Sequence, residues 1–388
     1  MAILKLKHRE IAVVAMAIVL GLGITACGKK EETKEGIIKI GSAAPLTGAI
    51  AHLGKDNENG ARLAVEEVNK AGLVINGKPV TLELLGEDDA SDPKTGTSIA
   101  QKLVDAKVVA VVGHLNSGVS IPASKIYSDA GIVQISPSST NPDYTHQGFK
   151  TTYRLVGTDA QQGPALAHYA IHNLKAKTIA IVDDATQYGK GLADEFEKTA
   201  KADGATIVIR EATNDKASDF KAILTNIKSK KPDVIMYGGM DATGGPFAKQ
   251  AKELGLPAKI VGGDGVCSPT LADLAGDAID NVVCSTVGVP LSKIKDADGF
   301  SKRYKARFNS EVQIYSPMSY DAVMVLVDAM KRANSTDAKA ILEAMPQTKY
   351  EGLTGHIAFD SKGDLKESFI TINQFKDKKI EVLDVVKM

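Results

Sequence analysis

Short apolar, β-rich runs alternate with segments of helical spacing along most of the chain. This alternation constrains the fold more than any other feature. The runs fall at Ile37–Ala43, Val80–Leu85, Val108–Val112, Val133–Ile135, Thr178–Val182, Thr206–Ile209, Val234–Tyr237, Lys259–Val261 and Val282–Ser285. Between them, Gly60–Ala71 carries Ala61, Leu63, Ala64, Val65 and Val68, and Gly96–Ala106 carries Ile99, Ala100 and Leu103. Gly189–Ala202, Asp219–Ser229 and Gly244–Glu253 repeat the pattern. Strand–helix–strand repetition predicts parallel sheets with helices on both faces. Unbroken runs such as Val108–Val112 suit strands buried on both sides. So many strands exceed one sheet, and 388 residues suit two domains. The break falls at Tyr153–Asp159, an extended segment before a helix expected from Gln161. The expected architecture is α/β, with two doubly wound lobes. Ligands of such sheets sit at the carboxyl ends of strands, and two facing lobes make a cleft.

The first residues read as an address. Lys5, Lys7 and Arg9 precede an almost wholly apolar stretch, Ile11–Gly23, too short to span a bilayer comfortably. A basic start, a short apolar core and small residues afterwards predict a secretory signal over 1–26. Ile24-Thr25-Ala26-Cys27 resembles a bacterial lipobox, which implies cleavage before Cys27 and lipidation of its thiol and new amine. The charged segment 27–36 then reads as a tether. The expected location is the cell envelope, with the protein held to a membrane through Cys27.

Composition removes several classes of function. Lys+Arg and Asp+Glu both total 47, and removal of the signal leaves 44 basic and 46 acidic residues. No basic excess exists to draw a nucleic acid. Cys27, Cys267 and Cys284 fit no four-ligand zinc site. Export favours a Cys267–Cys284 bridge, with two buried free thiols as the alternative. His114, His146, His168, His172 and His356 read as scattered surface or capping residues, so no metal is expected. No cofactor is expected either, because no Gly-x-Gly-x-x-Gly follows the first strand. Ser138 and Ser139 lie outside any nucleophile elbow, so the chain is not expected to be an enzyme.

The strand ends carry the chemistry. Val108–Val112 is followed by Gly113-His114-Leu115-Asn116-Ser117-Gly118, and Val133–Ile135 by Ser136-Pro137-Ser138-Ser139-Thr140. Such hydroxylic turns can hold a carboxylate beside a helix N-terminus, although ordinary caps use the same residues. Without Arg or Lys there, one carboxylate fits better than a polyphosphate. In the second half, strands end in Gly238-Gly239-Met240-Asp241 and Gly262-Gly263-Asp264-Gly265. Asp264 is placed to pair with an ammonium or to close its own turn. Asp159 caps the helix at Gln161 or touches a ligand. A carboxylate receptor on one lobe and an ammonium receptor on the other describe an amino-acid site.

GHLNSGVSIPASKIYSDAGIVQISPSSTNPDYT, TDAQQGPALAHY, QYGKGLADEF and YGGMDATGGPFAKQAKELGL resemble the type I periplasmic binding proteins, the Venus-flytrap fold. The resemblance is closest to the leucine/isoleucine/valine-binding proteins that feed ABC transporters. It runs from about Ile37 to the C-terminus, through PLTG, DDASDPK and FDSKGDLK. It implies two lobes joined by a three-segment hinge, 37–158 with 288–370 and 159–287 with 371–388, closing on ligand. It implies that Ser117 bonds the ligand carboxylate and that Ser138, Ser139 and Thr140 form the turn clamping the amino-acid backbone. Tyr188 then lines the cleft, and Asp264 holds the ammonium where relatives often have Glu. Leu53 and Met240 stand where relatives place aromatic residues. The family's first-lobe disulfide has no counterpart, since Ala90 and Asn116 occupy those positions. The expected partners are an aliphatic amino acid and a membrane permease, with the protein a monomer. The alternatives are a receptor for another small carboxylate or amide, or a sensing subunit without transport.

Overall fold

The computed structural model describes residues 36–388; Cys27, the signal and most of the tether lie outside them. The first lobe is built on strands β1 (Ile37–Ala44), β2 (Leu73–Ile75), β3 (Lys78–Asp88), β4 (Ala110–Gly113), β5 (Val133–Ser136) and β6 (Thr152–Arg154). Their order in the sheet is β2-β3-β1-β4-β5-β6, and every pair except β2–β3 is parallel. Helices α1 (Ala51–Ala71), α2 (Pro93–Asp105), α3 (Ser117–Asp129) and the short α4 (Asp143–His146) connect them. The strand order reverses beside β1, so the loops after β1 and β4 part there and open a crevice at the strand ends.

The chain then crosses to the second lobe through residues 155–158. Here α5 (Asp159–His168), α6 (Gln187–Ala202), α7 (Lys221–Lys230), α8 (Asp241–Glu253) and α9 (Pro269–Ala275) accompany β7 (Thr178–Asp183), β8 (Thr206–Ala212), β9 (Val234–Gly238), β10 (Lys259–Gly262) and β11 (Val282–Thr286). It returns to the first lobe for α10 (Ala297–Phe308), α11 (Ser316–Ala333), α12 (Ala338–Ala344) and the two-residue strands β12 (Tyr350–Glu351) and β13 (His356–Ile357). It crosses a last time to add the antiparallel hairpin β14 (Phe369–Lys376) and β15 (Lys379–Lys387). The second sheet therefore reads β15-β14-β11-β10-β9-β7-β8, with its own reversal beside β7.

All nine expected strands are present, and the central ones, such as Ala110–Gly113 and Val234–Gly238, are buried along their whole length. The helices α1, α6 and α8 begin earlier than the apolar spacing alone indicates; in α6 and α8 the first turns face the cleft. Cys267 and Cys284 form a disulfide, with Cα atoms 5.4 Å apart, tying the segment after β10 to β11.

His114 is a correction to the surface reading. It is fully buried, with Nδ1 2.8 Å from Asp89 Oδ2 and Nε2 3.1 Å from the Tyr127 hydroxyl. Both ring nitrogens are thereby occupied inside the first lobe. His168 and His172 are not scattered either. They stand one turn apart where α5 passes into a π-helical turn, and Asp203 lies 2.6 and 3.6 Å from them. Four-residue spacing on a helix puts both rings on one face, a signal present in the sequence. This exposed group lies in the second lobe, among residues that do not line the cleft.

Candidate functional site

The two crevices face each other and enclose a cavity of about 680 Å³. Thr47, Ile50, Asn116 and Val119 line it from the first lobe; Asp184, Gln187, Tyr188, Met240 and Ala242 line it from the second. The first turns of α3, α6 and α8 all reach this cavity. Helix N-termini carry partial positive charge and unpaired N–H groups, so together they favour a carboxylate. A close approach makes this possible in the second lobe. A Cβ on Gly189 would lie 2.4 Å from Gly238 O, and one on Gly238 would lie 2.3 Å from Gly189 O. Only glycines let the start of α6 meet the end of β9 so closely.

Of the residues expected at the site, Tyr188 and Met240 line the open cavity. Ser117, Ser138, Ser139, Thr140 and Asp264 are buried deeper. Their hydrogen bonds separate them by role. Ser138 Oγ accepts from Asn57 Nδ2 at 3.1 Å and donates to Leu115 O at 3.2 Å. Ser139 Oγ lies 2.7 Å from Ser120 Oγ and 3.0 Å from Leu115 O. Both hydroxyls are thus committed to the scaffold. Ser117 Oγ only accepts, from Asn141 N–H at 3.2 Å, which leaves its own proton to give. Thr140 Oγ1 is buried with no partner among the described residues.

Leu53 is fully buried in the hydrophobic core and does not line the cavity. Its neighbours in the same turn do the facing: Ile50 lines the cavity, and His52 reaches Asp241 of the opposite lobe. A helix residue three positions from Ile50 shares its face, so an apolar residue there serves the core as readily as the cleft.

Asp264 is not a free carboxylate. Oδ1 accepts from Gln162 Nε2 and the Tyr188 hydroxyl, both at 2.9 Å, and Oδ2 accepts from the Tyr315 hydroxyl at 2.7 Å. Burial raises its pKa, and these three donors oppose that rise. Asp159 does not cap α5. Thr158 holds that position, with its N–H donating to Gln161 Oε1 at 2.9 Å.

Arg154, unremarked in the sequence, organises the turn. Fully buried, it donates from Nε to Asp364 at 2.6 Å, from Nη1 to Ser139 O at 2.7 Å and from Nη2 to Asn141 O at 3.0 Å. The signal was an arginine inside the otherwise apolar run Tyr153-Arg154-Leu155-Val156. Tyr315 gave none, because its partner is 51 residues away in a different lobe.

Two α/β lobes, three crossings and a cleft between strand ends define the bilobed fold of the solute-binding proteins. Residues 37–378 match the model of the family described as periplasmic binding protein, and the chain belongs to that family. It is 37% identical over 354 residues to the Leu/Ile/Val-binding protein homolog 1 of Brucella abortus, covering 91% of this chain and 92% of that one. It is 35% identical to the leucine-, isoleucine-, valine-, threonine-, and alanine-binding protein of Pseudomonas aeruginosa, over 87% of this chain and 90% of that one. Among solved structures, the leucine-binding protein of Thermotoga maritima superposes with a TM-score of 0.83 at 29% identity, covering 90% and 98% of the two chains. The branched-chain amino-acid transporter substrate-binding protein of Streptococcus pneumoniae, in complex with isoleucine, gives 0.83 at 30%, covering 91% and 100%. The protein is thus an exported solute-binding protein of an ABC importer, related to the branched-chain amino-acid binding proteins and not an enzyme.

Proposed function

We propose that the cleft captures a free aliphatic α-amino acid and that the closed, loaded form delivers it to a membrane permease. The observation that carries this reading is the division of labour among buried polar groups. On the first lobe, Ser117 retains a hydroxyl proton and Thr140 an unpartnered hydroxyl, beside the N-terminus of α3. These groups suit a carboxylate. On the second lobe stand two buried acids, Asp159 at the start of α5 and Asp264 after β10, which suit an ammonium. Ile50, Val119, Met240 and Ala242 supply apolar wall for an aliphatic side chain. Met240 adapts to several shapes, which favours a small set of aliphatic ligands over one. The leucine- and isoleucine-binding names of the relatives agree with this choice. In the same reading Cys27 carries the lipid that keeps the protein, as a monomer, beside its permease.

Thermal-shift screening of residues 28–388 against the twenty amino acids, their amides and short carboxylates tests it. A ligand at about 100 times its Kd adds about 2.7 kcal/mol of stability, which is readily seen. Leucine, isoleucine, valine or alanine is expected to give the largest shift. Shifts only from carboxylates or amides lacking an α-ammonium would reject the amino-acid reading.

A further inference from the structure

We infer that the second lobe carries a surface site for a divalent transition-metal ion, Zn²⁺ by the chemistry of its donors, held by His168, His172 and Asp203 where helices α5 and α6 end. The site lies outside the cleft and is independent of the ligand that the cleft takes.

The packing of two helices gathers the donors. A Cβ on Gly163 of α5 would fall 2.8 Å from Phe196 N and from Glu195 Cβ of α6, so the helices are in close contact there. From that contact they run on in the same direction, because His168 at the end of α5 meets Asp203, the C-terminal cap of α6. His172 lies in the π-helical turn Tyr169–Asn173 that continues α5. In an α-helix of about 3.6 residues per turn, the residue four positions on is rotated about 40° past the first. The wider π turn takes up part of that offset. The two rings accordingly stack, with centroids 5.8 Å apart and planes 16° apart. Asp203 Oδ2 stands 2.6 Å from His168 Nδ1 and 3.6 Å from His172 Nε2, and the three donor atoms all lie within 4.8 Å of one another. Among the described residues no other group of three His, Cys, Asp or Glu side chains is gathered in this way. His52, His146 and His356 each meet one acid and no second histidine.

Two imidazoles and one carboxylate suit Zn²⁺, with Cu²⁺ and Ni²⁺ as competitors for the same donors. Ca²⁺ and Mg²⁺ take oxygen ligands and are poorly served here. Tetrahedral ligands at about 2.0–2.2 Å from Zn²⁺ stand about 3.3 Å from each other, so the observed separations need shifts of about 1 Å or less. Both histidine side chains are more than half exposed, which leaves them free to make that adjustment and lets a water take the fourth position. Coordination through Nδ1 of His168 replaces its hydrogen bond to Asp203 and places the ring proton on Nε2. The carbonyl ends of two helices add partial negative charge at the same point. Lys201, the cation nearest Asp203 in sequence, is turned away to Glu197 at 2.6 Å. A bound ion therefore staples the end of α5 to the end of α6 within one lobe.

Calorimetric titration of ZnCl₂ into untagged residues 28–388 tests the site. That stretch holds the whole described fold and omits His8 and Cys27, which are themselves metal donors. One Zn²⁺ per chain is expected, with neither Ca²⁺ nor Mg²⁺ competing for it. His168→Ala, His172→Ala and Asp203→Asn are each expected to weaken binding at least about 10-fold, since losing a ligand costs no less than losing an outer-shell partner. Saturating Zn²⁺ should raise the thermal midpoint of wild type by about 2–5 °C, and EDTA should reverse the rise. His172→Ala should show no rise, while its midpoint in EDTA should match that of wild type and so show that it is folded. A His168→Ala/His172→Ala double variant that binds one Zn²⁺ within about 3-fold of wild type, well under the scale of a lost ligand, would overturn the assignment. Wild type that takes up no Zn²⁺ would overturn it as well.

Discussion

His52 Nε2 on the first lobe lies 2.7 Å from Asp241 Oδ2 on the second. The two are 189 residues apart in sequence. His52 is 25% exposed and Asp241 is not exposed at all, with Ser268 Oγ donating to the same carboxylate oxygen. Asp241 is the first residue of α8, so its carboxylate also meets the positive end of that helix. The lobes therefore touch through a bond that must break for the cleft to open.

His52→Ala is expected to weaken ligand binding about 2- to 5-fold, the scale for a partly exposed pair, with most of the change in the dissociation rate. A variant that dissociates at the wild-type rate would remove the pair from the closing contacts. Asp241→Ala is a less clean test, since it also strands Ser268.

Arg154→Ala takes the guanidinium away from Asp364, the carbonyls of Ser139 and Asn141 and the Thr145 hydroxyl. Removing one side of a buried pair costs about 3–5 kcal/mol. Urea unfolding is expected to show a loss of that size, accompanied by weaker ligand binding because the turn Ser139–Asn141 loses its anchor. A loss below about 1 kcal/mol would show that the guanidinium is replaceable by water. Arg154→Lys keeps the charge but not the fork, so an intermediate value is expected.

Asp184 gives a pH dependence with a definite sign. Burial pushes its carboxyl up to about 6 from 3.8, with Asp215 and Asp183 adding and the Thr186 hydroxyl and N–H opposing. Its Oδ2 has no partner among the described residues. The raised group binds more protons folded than unfolded. Its contribution is complete below about pH 3.8 and is lost as pH rises through about 6. Ligand-free Asp184→Asn should therefore gain stability relative to wild type between pH 4 and 7, by about 1–3 kcal/mol. Parallel pH profiles from urea unfolding would show that the carboxyl titrates normally.

The strand-end turns were legible because their composition and their place in the alternation coincide. Gly113–Gly118 and Ser136–Thr140 had to lie at carboxyl ends of parallel strands, and they do. The terminal hairpin was not legible. Its turn, Asp377-Lys378, has φ of 49° and 61°, a conformation normally announced by Asn-Gly or Asp-Gly. The pairing of β14 with β15 closes that turn, with Lys376 opposite Lys379.

By itself the sequence determined the parallel α/β lobes and the residue types at each strand end. Periodicity and turn chemistry are local properties, and local properties are written in neighbouring residues. Only the tertiary structure decided which of those polar groups stay available. Ser138 and Ser139 are spent on Asn57, Ser120 and Leu115, and Asp264 on Gln162, Tyr188 and Tyr315. Ser117, Thr140 and Asp159 are left with capacity. A hydrogen bond is made once, and these partners arrive from distant parts of the chain only when the lobes pack.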